Sequence, residues 1–552
     1  MMNSRSIRRD FALLVGALVM AASAAHSAER PDDVAERSMT ELAADMAAGR
    51  TTAVALVQAY QRRIAAMDQT GPTLRSLIAL NPHAIEDAKA LDAERRGGRV
   101  RGPLHGVPLV IKDNIETREL PTTAGSLALK DNFTGRDAPA VARLRAAGVI
   151  VLAKANLSEW AQFRDRAGLS GWSPMGGLTV NPYALDRSAC GSSSGTGAAV
   201  AASFAAAGLG TETNASIICP AANSGLVGLK PTVGLVSRTH LAPLSPAQDT
   251  AGPMTRTVAD AAALLTVMAG SDPDDPATAE ADRRKADYLR ALEKGALKGA
   301  RIGVVRPTAT VPGADAVFEA ALKALRAAGA VLVEVEGYDE AAVRERQLPI
   351  FLAEFGPAMD AYLATLPPSV KARTLSDLIA FNKGEPRETA LSGQDLWEKA
   401  VAVKDPDGSA RRQLVAEARR MAGPEGIDRL LKAYGVEALV MPSGGPAAVI
   451  DLLRPPAMGG SATTWAAVAG YPHLTVPMGQ VRGLPVGLSL IGPAWSEGRL
   501  LALGFAFEQA TQARQAPTYA PSVQAIPSQA QPFMPAGQAR GVRAPRERSS
   551  PE

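Results

Sequence analysis

The 552-residue chain reads as an α/β protein built on one core. Short apolar runs alternate with helical stretches over roughly 480 residues, the alternation expected of a sheet covered by helices. No internal repeat divides the chain, which argues against a solenoid or an array. Charged residues at 21% and apolar residues at 46% match a globular composition. Length alone allows two to four domains, but the unbroken alternation favours one.

The elements follow in order. From Arg37 to Met67 the chain predicts a helical pair: "SMTELAADMAAGR" stopped by glycine, then "TAVALVQAYQRRIAAM". Val107–Ile111 in "GVPLVIKDN" is an unbroken apolar run suited to a strand buried on both faces. "APAVARLRAAG" is a helix ended by Gly148, and "VIVLAK" a second buried strand. "GTGAAVAASFAAAG" is almost all Ala and Gly and predicts a helix packed tightly on the sheet and stopped by Gly208. A strand ends at Gly210, and Pro220 suits the first residue of a short helix. "RIGVV", a helix with Phe318, Leu322 and Leu325 on one face, and "AVLVEVE" make a strand-helix-strand unit. "GVEALVMPS" and "GLPVGLSLIG" supply further strands, and between about Tyr338 and Ala433 the pattern turns helical and charged, predicting a helical insertion.

The ends differ from this body. Residues 1–28 combine a basic start, an apolar run from Phe11 to about Ala25 and small residues before a polar restart, the pattern of a secretory signal peptide. Arg8-Arg9 suits a twin-arginine variant, with cleavage near Ser27 or Ala28. The run is short for a bilayer span of about 20 residues, so no membrane insertion is expected once the leader is removed. Residues 515–552, rich in Pro, Gln, Ala and Ser, predict a disordered tail. The formal charge of +4 sits in these ends: three arginines against one aspartate in 1–28, four arginines against two glutamates in 515–552. The body between them is neutral, which removes the electrostatic case for a nucleic-acid partner.

Metal and nucleotide chemistry find little support. The five histidines, His26, His83, His105, His240 and His473, are scattered and form no H-E-x-x-H cluster. The glycine-rich "GGLTV" and "GLGTET" do not meet a phosphate-loop pattern. The two cysteines, Cys190 and Cys219, form no C-x-x-C pair and are expected as small buried thiols rather than a bridge.

The serine-rich "ACGSSSGTGAA" fits the nucleophile-elbow pattern G-x-S-x-G around Ser193, but an elbow needs a strand running into it. "NPYALDRSAC" makes a poor buried strand, so the segment taken alone reads as a loop capping the helix that follows. Ser216 lies in a second polar loop that feeds a helix, where backbone N–H groups can face a developing oxyanion. Lys112 ends an apolar strand where snorkelling to solvent would be the cheaper arrangement. Moving its pKa from ~10.4 to ~7 by burial would cost about 4 to 5 kcal/mol, retained mainly where neutral lysine has a task.

"GPLHGVPLVIKDNI", "ACGSSSGTGAAVAA", "GTETNASIICPAANSGLVGLKPTVGLVSR", "QDTAGPMTRTVADAA" and "AGYPHLTVPMG" with "GLPVGLSLIG" together resemble the amidase signature family, in that order and over most of residues 35–515. Within it the chain is most similar to bacterial peptide amidases. The resemblance implies a single domain over 29–514: a large mixed β-sheet covered by helices, with the helical insertion at about 338–433. It implies a Ser-cisSer-Lys triad in which Ser216 is the nucleophile, Ser192, preceded by a cis peptide bond, the bridging serine, and Lys112 the base. Ser192 and Ser216 stand 24 positions apart (216 − 192), the family's spacing. Ser193 matches a supporting serine, and the backbone N–H groups of Thr213, Asn214, Ala215 and Ser216 the oxyanion hole. No cofactor, metal or obligate protein partner is implied, and the substrate is a small amide or amidated peptide.

Asn214-Ala215 departs from the family, whose second residue there is commonly glycine, and Asn223-Ser224 departs in the same way. If the position is left-handed, Ala215 adds ~1–2 kcal/mol of strain. His105 is expected as a core or loop histidine, and Asp113, Asn114 and Glu212 as hydrogen-bonding neighbours of the triad. Two alternatives stand beside an exported amide hydrolase: a catalytically weak amide-binding member of the fold, and a component of a tRNA-dependent amidotransferase, which the leader disfavours.

Overall fold

A computed structural model of the chain describes residues 34–166, 168–306, 311–405, 407–453 and 462–526. The expected signal peptide and residues 527–552 of the expected tail lie outside the described residues. The strands are β1 Leu77–Leu80, β2 Pro108–Lys112, β3 Ile150–Ala155, β4 Trp172–Ser173, β5 Gly177–Leu178, β6 Ala207–Glu212 and β7 Val227–Lys230. They continue with β8 Thr250–Thr255, β9 Arg301–Val305, β10 Val331–Val335, β11 Ala438–Pro442, β12 His473–Val481 and β13 Leu484–Ile491.

Eleven of these form one mixed sheet in the order β1-β3-β2-β6-β8-β7-β12-β13-β11-β9-β10, and β4 pairs with β5 in a separate hairpin. Strands β3, β2 and β6 run parallel, as do β11, β9 and β10; the strands between them are antiparallel. The mixed α/β sheet covered by helices is the fold the sequence predicts. Its central strands are buried along their whole length, as the unbroken apolar runs of β2 and β3 require.

Local signals are honoured where they are strong. Ser38 and Glu41 form a capping box at the start of the helix Met39–Ala47, and Thr52 caps Ala53–Met67. The helix Pro139–Ala146 ends before Gly148, whose φ of 89° closes the turn. Phe318, Leu322 and Leu325 form the buried face of the helix Ala314–Ala327. The expected insertion is helical: Ala341–Ala364, Leu375–Gly384, Asp395–Ala402, Ser409–Ala422 and Arg429–Tyr434 lie between β10 and β11 without an intervening strand among the described residues.

Four boundaries differ from expectation, the first being that β6 runs on to Glu212, past the expected end at Gly210. The Ala/Gly helix ends at Ala201, and Gly208, expected as its stop, lies inside β6. Small residues serve the strand here: a Cβ on Gly208 would come within 2.6 Å of Thr196 Cγ2, and one on Gly210 within 2.8 Å of Ser193 Oγ. The short helix after Ser216 begins at Ile218, two residues before Pro220. Residues 515–526 belong to the fold rather than to a tail: Leu185 N–H donates to Ala520 O at 2.8 Å, and Ala520, Val523 and Ile526 are buried.

Candidate active site

Parallel β2 and β6 lie side by side, with Ile111 opposite Leu209, so their carboxyl ends emerge on the same edge of the sheet. That edge is where open α/β sheets place ligands. Lys112 is the last residue of β2, and Thr211 and Glu212 are the last two of β6. The loop carrying Ser192 and Ser193 precedes the helix Ser194–Ala201, and the loop carrying Ser216 joins β6 to the helix Ile218–Asn223. Close packing of the Ala/Gly helix fixes where the first loop lies: a Cβ on Gly195 would fall 2.2 Å from Ser76 O and 2.4 Å from Asn156 O.

The Gly191–Ser192 peptide bond is cis. Ser192 Oγ and Lys112 Nζ are hydrogen-bonded at 2.7 Å, and both residues are buried. Lys112 Nζ also donates to Thr211 Oγ1 at 2.9 Å and to Thr211 O at 3.3 Å. Burial lowers the lysine pKa to about 7, and the opposing attraction of Asp249 and Glu212 does not restore it. A neutral amine has two N–H donors and one lone pair. With Thr211 taking the two donors, the lone pair is left for the Ser192 hydroxyl proton.

Ser193 sits at the N-cap position but makes no side-chain cap. Its hydroxyl donates to Thr211 O at 3.1 Å, and its N–H to Ser216 O at 3.2 Å. It therefore ties both segments together, which corrects the capping role the isolated segment suggested. Ser216 is buried, and among the described residues its hydroxyl has no hydrogen-bond partner. Ser216 and Ser192 are thus brought to one place by their backbones, with the Ser216 side chain uncommitted.

The segment before Ser216 is held from below. Glu212 accepts N–H bonds from Ile217 at 2.7 Å and Ile218 at 2.9 Å, and the Ala215 N–H also faces this carboxyl, which burial shifts upward in pKa. Among the described residues the N–H groups of Asn214 and Ser216 have no protein acceptor. Ala215 has φ 66°, the left-handed conformation in which a Cβ is strained by ~1–2 kcal/mol. Ser224, the other departure, has φ −105° and carries no such strain.

Other neighbours also take supporting positions. Asn114 Nδ2 donates to Thr211 Oγ1 at 2.9 Å. Asp113 forms a buried ion pair with Lys154 at 3.1 Å, away from the lysine of the site. His105 is buried with Nε2 2.9 Å from Leu91 O, a structural histidine as expected. Among the described residues, no group of three or more His, Cys, Asp and Glu side chains is placed to hold a metal ion.

The expectation of two free thiols is wrong: Cys190 and Cys219 form a disulfide, and both residues are partly exposed. The loops of Ser192 and Ser216 converge from different elements, and their cysteines meet because of that convergence. Sequence reasoning also missed Thr211, Asp249, Gln347 and Thr464. The Thr213 hydroxyl donates to Asp249, whose pKa burial raises to about 6. Asn214 Nδ2 donates to Gln347 Oε1 at 3.0 Å and lies 3.5 Å from Thr464 Oγ1. Gln347 belongs to the helical insertion, so that insertion reaches the serine loop. Thr211 alone carried a sequence signal, as a hydroxyl next to Glu212 at the end of a strand.

Comparison with known proteins places the chain in a family. The crystal structure of native peptide amidase from Stenotrophomonas maltophilia superposes with a TM-score of 0.84 at 49% identity, covering 89% of this chain and 100% of that one. A probable amidase of Arabidopsis thaliana is 35% identical over 489 residues, 85% of this chain and 89% of its own. A glutamyl-tRNA(Gln) amidotransferase component from Chloroflexus aurantiacus is 34% identical over 501 residues, 86% of this chain and 96% of its own. The Amidase family model matches residues 55–501. With the buried lysine, the serine preceded by a cis bond and the second serine loop at one edge of the sheet, the chain belongs to the amidase family and is an amide-hydrolysing enzyme.

Proposed function

We propose that the chain is an exported serine amide hydrolase that cleaves C-terminal peptide amides and other small carboxamides to acid and ammonia or amine. The observation that carries the reading is Lys112: fully buried, held near neutrality, and 2.7 Å from Ser192 Oγ. Neutral Lys112 accepts the Ser192 proton as Ser192 accepts that of Ser216, and Ser216 Oγ attacks the amide carbonyl carbon. The carbonyl oxygen becomes an oxyanion facing the N–H groups of Asn214 and Ser216, whereas that of Ala215, expected in the same set, turns to Glu212. The proton returns through Ser192 to the leaving nitrogen, the C–N bond breaks and the acyl-enzyme remains. Water then gives up a proton to the same relay and attacks the ester, regenerating Ser216 and releasing the acid.

The substrate class is supported by the peptide amidase neighbour, which is more similar in sequence than the plant amidase or the amidotransferase component. Export is supported by the leader pattern in residues 1–28 and by the Cys190–Cys219 bridge, since disulfides persist in oxidising compartments. The strained Ala215 favours a second reading, a weakly active amide binder. Ammonia release from amidated dipeptides, with Ser216→Ala in parallel, separates the two. Release by the wild type alone is expected. Equal release by both would refute the triad, and binding without turnover would establish the weak binder.

A further inference from the structure

We infer that the Cys190–Cys219 disulfide is a positioning device for the reaction, holding the backbones of the Ser192 and Ser216 segments in register so that the uncommitted Ser216 hydroxyl can turn toward that of Ser192. The inference rests on the reading of Ser192 and Ser216 as the reacting pair. Cys190 stands two residues before Ser192, and Cys219 three residues after Ser216. Their Cα atoms are 6.0 Å apart, and the bridge closes 29 positions of chain that include the Ala/Gly helix and β6.

The two serines are held unequally. Ser192 is fixed on its own side: Lys112 Nζ bonds its hydroxyl, and Ser158 N–H donates to its carbonyl at 3.0 Å. Ser216 has no side-chain bond among the described residues, so its place depends on its backbone. Glu212 anchors that backbone within its own loop through Ile217 and Ile218. Across to the Ser192 loop, the non-covalent ties run through Ser193, whose N–H donates to Ser216 O at 3.2 Å, the upper end of the ordinary range, and whose hydroxyl donates to Thr211 O at 3.1 Å. The disulfide ties the Ser192 loop covalently to the helix Ile218–Asn223 that follows Ser216, and Cys219 N–H donates to Ala215 O at 2.8 Å, which passes its hold to the residue next to Ser216. Proton transfer requires the Ser216 hydroxyl to swing to within about 2.6–3.2 Å of Ser192 Oγ, so its reach depends on the register of the two backbones.

Both cysteines are partly exposed, so a small dithiol can reach the bridge in the folded protein. Dithiothreitol would give it two electrons and two protons, producing two thiols and closing to its own cyclic disulfide. The loops would then keep their separate anchors and lose their covalent register.

The test uses the purified protein. Denaturation with iodoacetamide should add no label without reductant and two labels after dithiothreitol; labels on the unreduced protein would overturn the inference. Reduced wild type and the Cys190→Ala/Cys219→Ala variant are then assayed on an amidated dipeptide. A loss in kcat of roughly 10- to 100-fold is expected, since a misplacement near 1 Å costs about that much. KM and the far-UV circular dichroism should change little, and fluorophosphonate labelling of Ser216 should slow in parallel. Oxidised glutathione should restore the reduced wild type but not the double variant. Full kcat after reduction overturns the inference, as does activity loss that tracks loss of the far-UV signal, which would make the bridge a folding staple only. If the double variant does not fold, reduction and reoxidation of the wild type decide. Residual activity in Ser216→Ala would instead defeat the serine reading, whereas an inactive Ser216→Ala beside an undiminished reduced enzyme would defeat the bridge's role alone.

Discussion

Replacing Lys112 by methionine should stabilise the protein while disabling it. Lys112 is fully buried, and desolvation brings its pKa down to about 7. In the unfolded chain it titrates near ~10.4, so at pH 7 the difference corresponds to about 4–5 kcal/mol at ~1.36 kcal/mol per unit. Between those two pKa values the unfolded state binds the extra proton, so stability rises with pH across the window. The penalty is fully present below about pH 7 and vanishes above ~10.4. Methionine removes it but leaves Ser192 and Thr211 short of a hydrogen-bond partner, a loss of about 1–3 kcal/mol. The balance at pH 7 is a gain of roughly 2–3 kcal/mol, shrinking to near zero by about pH 9 as the wild-type penalty falls to ~2 kcal/mol. Guanidinium unfolding of Lys112→Met and wild type, followed by tryptophan fluorescence at pH 7 and pH 9, reads this difference. The same variant should lose about 10²–10⁴-fold in kcat/KM, the worth of a general base. A stability difference of equal size at both pH values, or a destabilised variant at pH 7, would refute the argument that Lys112 is held neutral by burial.

Three further outcomes are expected. The kcat/KM of the wild type on an amidated dipeptide should rise about tenfold per unit below pH ~7 and level off above it, because only neutral Lys112 accepts the proton; a flat profile from pH 5 to 8 would contradict this. Ala215→Gly should raise the melting temperature modestly without lowering kcat, since relief of ~1–2 kcal/mol of left-handed strain outweighs ~0.4–1 kcal/mol of added unfolded-state freedom; a lower melting temperature would count against strain at φ 66°. Thr211→Val removes the hydroxyl that Lys112 and Asn114 share, so kcat should fall with KM little changed, and stability should drop by about 1–3 kcal/mol; a change confined to KM would place Thr211 in substrate binding instead.

What the sequence revealed depended on how local each cause is. Lys112 was legible because a charged residue closing an apolar strand has no local reason to be there, and the helix face of Phe318, Leu322 and Leu325 follows from periodicity alone. The start of β6 reads as the end of a helix because its Ala and Gly residues answer to the helix packed on them, and the same composition looks helical when read along the chain. The disulfide was missed since cysteine spacing says nothing about which loops converge. Gln347 and Thr464 approach Asn214 from chain more than a hundred residues away, and only tertiary packing brings them there. Residues 515–526 read as part of a tail because Pro, Gln, Ala and Ser dominate the average, while the side chains that pack on the core, Tyr519, Ala520, Val523 and Ile526, are a minority. Ser216 was identified through a family resemblance; its own loop carried no periodicity that singled it out.

The central claim is that Ser216 reacts and that the serines of "ACGSSSGTGAA" serve it. Mass spectrometry of the purified protein after trapping with a fluorophosphonate tests this directly. A single adduct on the peptide containing Ser216 is the predicted result. An adduct on Ser193 or Ser192, with Ser216 unmodified, would contradict it.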